Sequence, residues 1–170
     1  MNGNFEACLA LVLKSEGGFV NNPKDPGGAT NFGVTKATYE QFTGKTVSVD
    51  DMRSLTVDEI TPLYRRMFWD AVHGDDLPAG VDYAVFDYAV NSGTGRAAKA
   101  LQQALGVVVD GALGAQTLAA VKAADPEELV EKICGGRLSF LQALPTWQYF
   151  GKGWGVRVAQ VEQHATAMVS

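Results

Sequence analysis

Glu16 closes an apolar, helix-patterned segment and runs straight into EGGFVNNPKDPGGATNFGVT (16–35), a stretch rich in glycine, proline and asparagine. A second acid, Asp25, follows nine positions later, and a hydroxyl, Thr30, five positions after that. Residues of these types can cleave a glycosidic bond. In an inverting glycosidase one carboxyl protonates the leaving oxygen while a second activates a water on the opposite face, with roughly 6.5–9.5 Å between them to admit that water. A helix C-terminus is the negative end of the macrodipole and disfavours the ionised form of Glu16, the direction a general acid needs. Phe19 or Phe32 would add desolvation if either lay close. Asp25 can fold back toward the helix end across the glycine-rich turn, and the Thr30 hydroxyl, which both donates and accepts, can orient the water. Each residue also has an ordinary reading. Glu16 can be a solvated helix-end acid, Asp25 an Asx-type turn former before Pro-Gly, and Thr30 alone carries almost no signal.

The elements that must position these groups are patterned in the sequence itself. Phe5, Cys8, Leu9, Val12 and Leu13 recur at helical spacing, so residues 4–15 form an amphipathic helix ending at Gly17-Gly18, where φ can turn positive. The following stretch alternates turn signals with short β-prone pieces. It predicts a small β-hairpin or twisted loop, with Asp25-Pro26-Gly27-Gly28 as a type II turn whose positive φ falls on Gly27. From about residue 35 the chain reads as helices. Thr56-x-x-Glu59 is a capping box opening a helix through about Val72, with Pro62 inside it to kink the first turns. Further helices are predicted over 81–91, 95–105 and 115–123, and from Asp125-Pro126 to about Leu144. A loop spans Trp147 to Trp154, and a last helix runs from Val156 to Met168. No linker or repeat divides the chain, which makes it one mostly α domain with a small β element.

Composition bounds the function. The 170 residues are 46% hydrophobic, as in ordinary globular proteins. A net charge of −5 and the absence of a Lys/Arg stripe argue against nucleic acid as a partner. No apolar run reaches membrane-spanning length, so no membrane insertion is expected, and FEACLALVL (5–13) lacks the basic flank of a signal peptide. Synthesis in the cytoplasm follows from that reading. Two histidines, His73 and His164, offer little for a metal site, and no cofactor is called for. Cys8 and Cys134 read as buried thiols. Trp69, Trp147 and Trp154 read as core aromatics, Asp110-Gly111 as a turn, and Gln102 and Gln103 as surface helix residues.

The motifs Glu16-Gly17-Gly18-Phe19 and Asp25-x-Gly-Gly-x-Thr30-x-x-Gly33 resemble glycoside hydrolase family 108, the muramidase-type lysozymes. The likeness continues through YRRMFWDAV (64–72), Leu77-Pro78-x-Gly80-Val81 and FDYAVNSG (86–93). The second half, AAKALQQALGVVVDGALGAQTL (97–118) with KGWGVRV (152–158), resembles the peptidoglycan-binding-type segment that accompanies this family. The interval from Glu16 to Asp25 also matches that of phage T4-type lysozymes, although Thr30 comes one residue earlier than the threonine there.

The resemblance implies a lysozyme-like, mainly α single domain with a small β-hairpin after the first helix. Residues 1–94 would carry the catalytic lobe and 95–170 the peptidoglycan-binding-type lobe, packed as one globular unit. It implies hydrolysis of the β-1,4 bond between N-acetylmuramic acid and N-acetylglucosamine, with Glu16 as catalytic acid and Asp25 and Thr30 as its partners. Asn91, Phe32 and Asn31 are the candidates for holding sugar, although Asn91 could instead cap its own helix. The partner is then a peptidoglycan glycan strand, met by a monomer in the periplasm or cell wall after release by a holin or a secretion system. Alternatives are a non-catalytic wall-binding or secretion-associated protein, a lytic transglycosylase, or a chitinase-like enzyme.

Overall fold

The computed structural model of the chain describes residues 4–170. It is mainly helical, with one small antiparallel hairpin after the first helix. Two compact units are distinguished: Leu9–Met67, and a second made of the residues up to Cys8 together with Phe68–Ser170.

Helix α1 (Asn4–Ser15) buries Phe5, Cys8, Leu9 and Val12, the apolar stripe read from the spacing. Its last turn extends one residue further, because the Glu16 amide donates to Val12 O at 3.2 Å. Neither Gly17 nor Gly18 adopts the left-handed φ expected of a glycine helix stop. The chain leaves the helix without such a stop, and Val20 forms an isolated antiparallel bridge with Thr30. Strands β1 (Thr30–Asn31) and β2 (Val34–Thr35) follow, joined through Phe32 and Gly33. Thr35 then caps helix α2 (Lys36–Thr43), accepting from the Thr38 amide at 3.2 Å.

Ser48 and Thr56 open α3 (Val49–Arg53) and α4 (Val57–Tyr64) with capping boxes, each serine or threonine hydroxyl meeting the third helical amide while the acid there returns to the cap amide. Pro62 lies within α4. A proline has no amide to give the ladder and its ring crowds the carbonyl four residues back. Only two residues beyond it the α-helix ends, and Arg65–Trp69 winds as a π-helical turn, passing into a short 3-10 turn at Asp70–Val72. The expected helix to Val72 is therefore continuous in course and re-registered in winding.

Within the unit containing Phe68–Ser170, α5 (Val81–Ser92) is the central element, and every residue from Val81 to Ala89 is buried. A helix apolar on all sides needs neighbours on all sides. It has them in α6 (Thr94–Leu105), α8 (Pro126–Gln142) and α9 (Trp147–Val169). Phe86, Phe5 and Trp69 meet edge to face, with ring centroids 5.3–5.9 Å apart. The acids on this helix are handled individually. Asp87 accepts from Arg137 Nη1 at 2.6 Å and from Arg157 Nη2 at 3.0 Å, and both Asp87 and Arg137 are fully buried. Asp82 accepts from the Gly80 and Tyr83 amides and from Asn4 Nδ2, while burial pushes its carboxyl above the usual range.

Three expectations change here. Gln102 is buried, and its amide organises the loop to α7 (Ala115–Ala123), donating to Asp110 Oδ1 and Ala112 O and accepting from the Asp110 and Gly111 amides. Gln103 is exposed as expected, and Asp110-Gly111 makes a turn with Gly111 at φ 80°. The segment from Trp147 to Trp154 is the start of α9, not a loop. Gly151 lets the helix wind there because its bare Cα lies against the Trp147 ring, where a Cβ would come within 2.5 Å. Trp69 is a core residue, whereas Trp147 and Trp154 are half-buried and gather with the exposed Phe150 on the surface.

Candidate active site

The hairpin after α1 is built by a two-residue turn. Phe32 at φ 51° and Gly33 at φ 74° both occupy the left-handed region, between the pairs Asn31↔Val34 and Thr30↔Thr35. This is the type I′ geometry whose twist matches that of the strands it joins. Glycine adopts it freely, but phenylalanine is strained there by about 1–2 kcal/mol. Three contacts hold it. The Asn31 side chain accepts from the Phe32 amide at 3.0 Å and donates to Met52 O at 2.9 Å, and Tyr64 Oη donates to Phe32 O at 2.6 Å. Strain maintained by surrounding structure is characteristic of functional sites.

What the turn faces is Glu16. A Cβ at Gly33 would stand 2.5 Å from Glu16 Oε2, 3.0 Å from its Cδ and 3.1 Å from its Cγ, so the glutamate side chain lies directly against the bare Cα of the turn. Glu16 itself is half-buried. A carboxyl at a helix end, walled by backbone on one side and open to solvent on another, can present a proton to a bound leaving group.

Asp25 lies in the exposed loop between Val20 and β1. Its Oδ1 accepts from the Gly27 amide at 2.9 Å and its carbonyl accepts from the Gly28 amide at 3.1 Å. The Asp-Pro-Gly-Gly turn thus forms where expected, but the left-handed residue is Gly28 at φ 78°, not Gly27, so it is not a type II turn. Thr30 is half-buried at the base of the hairpin, exchanging backbone hydrogen bonds with Val20 on one side and pairing with Thr35 on the other. Phe32 is half-buried, and Asn31 is buried with its amide committed to the turn and to α3. Phe19 lies beneath the Arg53 guanidinium, 4.8 Å from ring centroid to the charged carbon. Asn91, near the end of α5, is exposed, and its Oδ1 accepts from Arg137 Nη2 at 3.2 Å. Among the described residues, no group of three or more His, Cys, Asp or Glu side chains is placed to hold a metal ion.

Two residues of this site escaped the sequence reading of individual roles. Gly33 and Tyr64 both stand inside motifs that the sequence displays, but as positions without assigned chemistry. The signal for Gly33 is a two-residue spacer ending in glycine between the β-prone pairs Thr30-Asn31 and Val34-Thr35. Nothing local marks Tyr64, which lies 32 residues from the carbonyl it meets.

Comparison with known proteins gives the family. Residues 9–93 match the family model described as Glycosyl hydrolase 108, and residues 96–158 match one described as Predicted Peptidoglycan domain. Among solved structures, "Structure of Brucella abortus SagA" is 45% identical with a TM-score of 0.87, the match covering 99% of this chain and 97% of that one. A comparison with curated proteins finds no match.

Proposed function

Because the chain belongs to the glycosyl hydrolase 108 family and is a glycoside hydrolase acting on peptidoglycan, we propose that it is a muramidase whose general acid is Glu16. It cleaves the β-1,4 bond between N-acetylmuramic acid and N-acetylglucosamine. The observation that carries this reading is the seating of the Glu16 side chain against Gly33 in a strained, three-point-anchored turn. Such anchoring is expensive for a surface loop and makes sense where a proton donor must be held still.

In this mechanism Glu16 gives its proton to the glycosidic oxygen as the bond to the anomeric carbon breaks. Asp25 takes a proton from the attacking water, and the Thr30 hydroxyl orients that water, giving inversion at the anomeric carbon. The Phe32 ring offers an apolar face to the sugar. Asn31, whose amide is spent on the turn, supports the site by holding Phe32 and Gly33 in place.

Clearing of a purified cell-wall suspension tests the assignment of the acid: Glu16→Gln abolishes it while the fold is retained. Equal clearing by wild type and variant would remove Glu16 from the mechanism. Mass spectrometry of the products separates hydrolysis, which leaves reducing N-acetylmuramic ends, from transglycosylation, which leaves anhydro ends. NMR of the first-formed anomer reads the stereochemistry.

A further inference from the structure

Helices α6 and α8 leave between them a groove of about 650 Å³. It falls within the size range of small-molecule sites. Its lining concentrates positive charge in a chain whose net charge is −5: Arg96 and Lys99 from α6, Lys132 from α8. The Arg96 guanidinium is set by Phe140, with the charged carbon 4.4 Å from the ring centroid. Lys132 meets Glu128 at 3.4 Å, one turn back on its own helix, in an exposed pair of the kind that leaves the ammonium available to a ligand. Phe140, half-buried, supplies apolar surface between the cations, over a floor that includes the buried Ile133.

The groove wall has a gap in the middle of α8. Gly136 lines it, and a Cβ there would meet nothing within 4 Å. Glycine is the poorest helix former after proline, and no neighbour demands it here. What the missing side chain does is keep the groove open. Along the helix, Lys132 precedes Phe140 by eight residues, about 12 Å of rise. An extended peptide advances about 3.3–3.6 Å per residue, so charges at the two ends of the groove span three to four residues.

We propose that this groove binds the acidic stem peptide of peptidoglycan, with Arg96, Lys99 and Lys132 receiving its carboxylates and Phe140 its methyl groups. The proposal rests on the reading of the chain as a protein acting on peptidoglycan, and it locates the recognition on the peptide rather than the sugar. The N-acetylated sugar rings offer hydroxyls and amides, whereas the stem peptide brings several carboxylates within a span of that length.

The test titrates the full-length protein with a synthetic stem tripeptide, with the same peptide amidated at its carboxylates, and with a neutral N-acetylglucosamine tetramer. Binding is followed by calorimetry and by NMR shifts of α6 and α8 amides. The acidic peptide binds and the amidated one does not, and affinity falls as salt rises. Arg96→Gln/Lys99→Gln/Lys132→Gln weakens it at least tenfold, and Gly136→Leu blocks it while leaving the melting temperature unchanged or higher. No binding by wild type, equal binding of the amidated peptide, or undiminished binding in the triple variant would each overturn the proposal. Glu16→Gln binds the peptide as wild type does. Failure of the acid assignment in the clearing assay is therefore read separately from failure here.

Discussion

A methyl group at Gly33 would fall 2.5 Å from Glu16 Oε2, on backbone at φ 74° that an L side chain rarely adopts. The atom it meets ends a flexible side chain, so the glutamate yields before the fold does. Displacing a catalytic group by about 1 Å costs on the order of a hundredfold in rate. Gly33→Ala is therefore expected to lower turnover on cell walls about a hundredfold with an unchanged far-ultraviolet circular dichroism spectrum. Clearing at the wild-type rate would show that the turn does not set the position of the acid. Phe32 makes the complementary case, since its backbone is strained while its half-buried ring is the one proposed to meet the sugar. Asparagine tolerates the left-handed region far better. Phe32→Asn should melt no lower than wild type and yet bind wall fragments up to about tenfold more weakly, the upper value of an aromatic contact of about 1.5 kcal/mol. A variant both more stable and fully active would mean that the ring has no contact with substrate. At this scale the sequence displayed Glu16, because an acid at a helix end beside Gly-Gly is locally odd. It did not display the roles of Asn31 and Tyr64, whose partners are brought to them by the fold.

Among the elements, α5 meets both α8 and α9 at one buried carboxylate. Asp87 meets Arg137 and Arg157 with no exposure to solvent, while Arg137 also stacks over Tyr88, 5.0 Å from centroid to charged carbon. Removing one member of a buried ion cluster leaves the others desolvated and uncompensated, at a cost of about 3–5 kcal/mol. Asp87→Ala should lower stability by that amount in urea denaturation. A loss below about 1 kcal/mol would show that the cluster relaxes to water. The helices themselves were legible wherever caps and apolar periodicity coincided, as at Thr56, Asp125-Pro126 and Gly106. Where they were not, a tertiary contact decided. Trp147 to Trp154 holds two glycines and four aromatics and reads locally as a loop, but Gly151 packs on the Trp147 ring and the segment winds as helix. Gln102 reads as a polar surface residue because its partners, Asp110 to Ala112, make a loop whose path no helical pattern records.

For the molecule as a whole, the mainly α architecture and the hairpin behind the first helix were legible from periodicity and turn residues, because both signals are local. The π-helical turn and the choice of Gly28 over Gly27 were not, since each depends on how the ladder closes around its neighbours. Both thiols are free and buried, as their apolar helical settings suggested. Burial pushes Cys134 up to about 12 and Cys8 higher still, so almost no thiolate exists at pH 8. A disulfide reagent should then titrate neither in the native protein at pH 8 and both after unfolding, and fast reaction of one native thiol would contradict that burial. Charge sets a further whole-molecule expectation. A protein of net charge −5 approaching an anionic wall is repelled at long range. The Debye length shortens from about 30 Å at 0.01 M salt to about 10 Å at 0.1 M, which removes most of that repulsion while leaving contact distances almost untouched. Wall clearing should consequently rise between these concentrations and decline only when screening reaches the contacts themselves, near molar salt. A rate that falls steadily from the lowest salt upward would mean that attraction by a local basic surface, not repulsion by the acidic whole, governs the approach.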